Sequence, residues 1–87
     1  MSASPGLTEV ERQMAERILV WHAQGVVMAD HHCSASTGLT IMRSRSFAEG
    51  CSMVEVAAAV IRERERLDVR RALQAHERER LASRRAG

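Results

Sequence analysis

AQGVVMADHHCSASTGLTIMRSRSFAEGCSMVEVAAAVI, residues 23–61, contains two helix starts and two helix stops at fixed distances from apolar residues of helical spacing. Ser34 is a helix N-cap, because a short hydroxyl side chain can accept from the free N–H groups of the first turn. The helix it opens is expected over Ala35–Ala48, with Leu39, Met42 and Ser46 on one face and Ile41 beside them. Gly50 supplies the left-handed residue that ends such a helix. Ser52 followed by Glu55 is a capping box, the reciprocal pairing that opens a helix. That next helix turns Met53, Val56, Val60, Ile61 and, further on, Leu67 inward. Ala, Glu, Arg, Met and Leu dominate, all good helix formers, and with one Trp, one Phe and no Tyr little favours a strand. The fold class expected is all-α, a small three-helix bundle.

Working outward, Thr8 followed by Glu11 is another capping box, and a first helix is expected from about Thr8 to about His31. Leu7, Met14, Trp21 and Met28 fall seven residues apart, with Val10, Ile18 and Gly25 at the intervening steps. A stripe of this period is coiled-coil-like and longer than a three-helix core needs, so Leu7, Met14 and Trp21 are expected at a homodimer interface. Trp21 belongs to the core or that interface rather than to a base-stacking site, because it sits on the stripe. Gly25 stands mid-helix, where it costs about 1 kcal/mol relative to Ala. Beyond Leu67 the apolar residues thin to Val69, Leu73 and Leu81 within Arg/Glu alternation, the pattern of a solvated helix. The organisation expected is a disordered lead over 1–6, a three-helix domain over 7–67, and a helical extension over 68–87 with a frayed end.

The chain has 87 residues, enough for one small domain with a thin core, and oligomerisation is a common remedy at this size. Its net charge is +2, but residues 1–61 hold four Arg and six acids while residues 62–87 hold nine Arg and five acids. A basic tail suits a polyanion, though interleaved acids dilute the field. Cys33 and Cys51 make no disulfide framework and flank the second helix, about one helix length apart. Asp30, His31, His32 and Cys33 are potential ligands, but they lack the paired short Cys/His spacings of zinc sites, so no metal or other cofactor is expected. No nucleophile–base pair and no glycine-rich phosphate loop is present, so no enzyme is expected. No secretory leader and no bilayer-length apolar run appears, so a cytoplasmic protein is expected.

The blocks in this stretch resemble the ANTAR domain, the three-helix RNA-binding output module of bacterial transcription antiterminators. The family pattern opens with Ala-Lys-Gly, two aliphatics and Met, matched by Ala23, Gln24, Gly25, Val26, Val27 and Met28. Ser34, Ala35, Gly38, Leu39, Met42 and Arg43 follow its second block, and Met53, Val56, Ala57, Val60 and Ile61 its third, without a gap. Arg17 and Val20 fit the approach to the first block. The departures are Gln24 for Lys, Gly38 for Ala, Leu39 for Phe, and Cys51–Ser52 where a basic residue is common.

The resemblance implies a fold of three helices and an RNA-binding antitermination regulator that recognises tandem hairpins in nascent RNA. The residues expected at RNA are Ala23, Gln24, Gly25, Arg43 and Arg45. Arg43 coincides with the family's Arg. Arg45 has no counterpart but offers the same planar donor set for phosphate or a base. The alternative for both Arg is a solvated side chain paired with Glu49 or Glu55. Ala23 and Gly25 admit either an RNA loop or a packed helix, and Gln24 can hydrogen-bond a base without neutralising a phosphate. The alternative function is a degenerate ANTAR-like module for dimerisation or protein interaction, without RNA binding.

Overall fold

The computed structural model describes residue 6 and residues 8–86. It holds three helices, α1 over Glu9–His31, α2 over Ala35–Glu49 and α3 over Met53–Ala86. The expected lead over 1–6 lies almost wholly outside the described residues, as does Leu7.

The helix ends follow the local chemistry. The Thr8 hydroxyl accepts from the Glu11 N–H at 3.1 Å, and the Glu11 carboxylate accepts in return from the Thr8 N–H at 3.3 Å. Ser34 Oγ accepts from the Thr37 N–H at 3.2 Å, and Ser52 Oγ from the Glu55 N–H at 3.1 Å. Gly50 closes α2 at φ 64°, which costs glycine nothing because it has no Cβ. α1 ends on His32, which takes the same left-handed geometry at φ 49°. α2 runs to Glu49, one residue further than expected.

The core is small. Ala23, Val27, Met42, Val56, Ala57 and Val60 are buried, with Leu19, Val20, Val26, Ile41, Cys51, Met53 and Ile61 packed around them. No apolar side chain of α1 before Leu19 joins this cluster. At the other end Leu67 is the last partly buried residue of α3, and the residues from 68 to 85 are exposed. α3 is therefore a core helix whose 34 residues run on into solvent, a length of about 50 Å. The radius of gyration, 18.8 Å, reflects these projecting helices; a compact chain of this length would give about 12 Å.

Two ion pairs and one close approach lock the helices. Arg64 pairs with Asp30, tying α3 to the end of α1, and Arg45 pairs with Glu63, tying α2 to α3. Gly38 is buried where α2 crosses α1: a Cβ there would stand 3.2 Å from Met28 Cγ and 3.5 Å from the Gln24 carbonyl oxygen. The missing side chain lets the two backbones come together. Gly25 is different, because a Cβ there would meet nothing within 4 Å. Gly25→Ala is therefore expected to stabilise the protomer by about 1 kcal/mol, read as a higher urea midpoint at unchanged slope. A fall in stability would show that another backbone reaches Gly25.

Candidate nucleic-acid interface

α2 carries the chemistry that an anionic partner needs. Its inward face is set by Gly38, Met42 and the half-buried Leu39, Ile41, Arg45 and Ser46. The hundred-degree step of a helix then turns Ser36, Thr40, Arg43, Ser44 and Phe47 outward, and all five are exposed. The single carboxylate of α2, Glu49, accepts from Arg45 Nε at 2.9 Å. The outward face thus offers hydroxyls, one guanidinium and no negative charge. Arg43 has no ion-pair partner among the described residues.

The expected RNA residues do not converge on one spot. Ala23 is fully buried, so its side chain serves the packing of the bundle and presents nothing to a ligand. Gln24 Nε2 donates to the Ala35 carbonyl at 2.7 Å and pins α1 to the first turn of α2. Arg43 lies eight residues beyond Ala35, about 12 Å along the α2 axis. Gly25 lies on the exposed back of α1, in line with Ile18 and Trp21 rather than toward α2.

Arg45 is held by its neighbours. Its two terminal nitrogens donate to both oxygens of Glu63, at 3.2 and 2.7 Å, while Nε donates to Glu49. The paired donors hold the Glu63 carboxyl below the usual carboxylate range, and the same bond to Glu63 raises the Arg45 pKa above its ordinary value. A depressed folded pKa adds stability above the unfolded value that is lost as pH falls through the folded one. The wild-type melting temperature is therefore expected to fall more steeply than that of Glu63→Gln between about pH 5 and about pH 3. The effect will stay below about 1 kcal/mol, because both groups are solvated.

Asp30 is engaged by Arg64, and no cluster of three or more His, Cys, Asp or Glu side chains able to hold a metal occurs among the described residues. Cys33 and Cys51 are free thiols, each half-buried. No helix among the described residues is long and apolar enough to cross a membrane.

A second surface lies on α1. Val10, Met14, Ile18 and Trp21 are all exposed, Met14 at 57% and Trp21 at 61%. Met14, Ile18, Trp21 and Gly25 follow one another at alternating steps of four and three residues and form an exposed stripe on the side of α1 away from the core, whereas Met28, the next residue at that spacing, is half-buried at the α2 crossing. Trp21 is therefore not a core residue of the protomer. Sequence spacing alone left Phe47 unassigned. The one available signal was that the chain's only Phe falls off the Leu39–Met42–Ser46 face and one turn after Arg43.

The described residues form a thin three-helix bundle with a polar outward face on α2 and an apolar stripe on α1. The ANTAR domain model matches residues 8–61, more than half of the chain, and the chain belongs to the ANTAR domain family. That family consists of RNA-binding antitermination regulators and is regulatory rather than catalytic. The match covers all of α1 and α2 but stops early in α3, so most of the Arg/Glu-rich helix lies outside it. No curated protein and no solved structure matches the chain.

Proposed function

We propose that this protein binds tandem small hairpins in a nascent transcript and acts there as an antiterminator. The observation that carries the proposal is the outward face of α2, where Arg43 has no ion-pair partner among the described residues and α2 itself turns no carboxylate outward, in a chain of an RNA-binding family. Arg43 is the direct contact, supplying a planar fork for phosphate or a base edge. Gln24 borders the α1–α2 crossing, with its amide nitrogen committed to Ala35 and its oxygen left to accept, whereas Gly25, on the exposed back of α1, lies outside this surface. Arg45 acts by holding α2 on α3 and reaches RNA only by releasing Glu63. Ala23 contributes close packing beneath the surface.

The mechanism needs no catalysis. A nascent RNA with two exclusive folds shifts toward the fold that the protein binds better, by no more than the difference in binding free energy. Stabilising the hairpins withholds their strands from a terminator. Two hairpins call for two binding surfaces, which a homodimer joined through Met14, Ile18 and Trp21 provides. A thin protomer core and an exposed apolar stripe on the same chain support that assembly. Transcription in vitro across a terminator preceded by tandem hairpins tests the function: read-through is expected to rise with protein, and unchanged read-through would contradict it. The same α1 stripe is the observation behind the other reading, a helical interaction module without RNA binding.

A further inference from the structure

Phe47 is 91% exposed, more than any other large apolar side chain among the described residues. The core does not use it and no helix covers it. It stands on the outward face of α2, one turn after Arg43 and about two turns after Thr40. We propose that Phe47 is a stacking platform for an unpaired base of a hairpin loop, with Arg43 taking the adjoining phosphate. The inference rests on the RNA-binding function proposed above and assigns to it a residue that reads bases rather than charge.

Three observations select this occupant. The ring is isolated: the outward residues within a turn before it are Arg43 and Ser44, and beyond it lie Ala48 and Gly50. A protein-docking site needs contiguous apolar area, as the α1 stripe provides and this face does not. The face is also free of negative charge, since Glu49, the only carboxylate of α2, is turned to Arg45. An aromatic ring beside a cation on such a face fits a group that is both a flat π-system and an anion, which is a nucleotide. Finally, the ring stands proud of the helix with no cleft around it, so it meets only a base that is already unstacked. Hairpin loops offer such bases, whereas paired bases are shut inside the duplex.

The test is a cycle between protein and RNA. Wild type, Phe47→Ala and Phe47→Tyr are titrated with a tandem-hairpin RNA and with the same RNA carrying an abasic site at each loop position in turn. Phe47→Ala is expected to weaken binding about 5- to 100-fold with an unchanged salt slope, because no charge is lost. Phe47→Tyr is expected to bind as wild type. At one loop position the abasic RNA is expected to lose affinity for wild type and to lose nothing further with Phe47→Ala. Wild-type binding to the intact RNA with Phe47→Ala equal to it would overturn the stacking role and leave the RNA-binding function standing. Additive losses at every abasic position would also overturn it, since the ring would then act without touching a base. No wild-type binding to any hairpin RNA would remove both proposals together.

Discussion

A chain with Met14→Glu is expected to sediment as a monomer at micromolar concentrations where the wild type sediments as a dimer. Met14 opens the four–three spacing that continues through Ile18, Trp21 and Gly25, and it is exposed in the single protomer. A second copy of the stripe is the surface that matches it best in length, period and apolar character. Pairing then buries position 14 against the partner's seam in either orientation of the two helices. A carboxylate there loses water to an apolar seam, and Arg17, one turn on, offsets that only in part because its own charge stays at the solvated edge of the stripe. A cost of about 3 kcal/mol, modest for a charge so placed in an interface, weakens the dimer by about 100-fold. Helicity and protomer folding should persist, since no apolar side chain of α1 before Leu19 packs on the core. A wild type that is monomeric throughout contradicts the stripe as a dimer seam.

Arg43→Ala is expected to weaken hairpin binding by about 10- to 100-fold while leaving circular dichroism and the melting temperature unchanged. The size follows from losing one charge-assisted hydrogen-bonding group, about 1.5–3 kcal/mol. The spectroscopic silence follows from the structure, in which Arg43 is exposed and makes no ion pair among the described residues. The log–log salt slope should become shallower by about 0.7 if the lost contact is to a single-stranded phosphate. Arg45→Ala should behave in the opposite sense, lowering thermal stability by up to about 1 kcal/mol through its ties to Glu49 and Glu63 before it alters RNA affinity. The contrast between two arginines two residues apart separates contact from scaffold.

That contrast also marks how far the sequence reached. The helix ends were legible because a cap is local: Thr8 with Glu11, Ser34, and Gly50 each act within four residues of themselves. The inward faces were legible because burial follows the helical period, as Met42, Val56 and Val60 show. Ala57 was harder. It is fully buried, yet a small side chain gives a hydropathy pattern little to register. The ties between helices were not legible at all. Arg45 and Glu63 are 18 residues apart, and Asp30 and Arg64 are 34 apart. No period or spacing predicts such pairs, because they exist only after the helices pack. A motif likewise says which residues recur and not which way each points. Ala23 and Gly25 stand two apart in one short block, and the structure turns the first into the core and the second to solvent.

The central claim, that this α2 face reads hairpin RNA, is tested most directly by the affinity of the wild-type protein for a tandem-hairpin RNA against a length-matched scrambled RNA at near-physiological salt. Non-specific attraction of Arg to phosphate is common to both RNAs and is suppressed by salt, so the ratio isolates recognition of the folded hairpins. The account predicts that the tandem hairpins shift at concentrations at least about tenfold below the scrambled RNA, a difference of about 1.4 kcal/mol or more. Equal affinity for the two, or no complex with either, would contradict it.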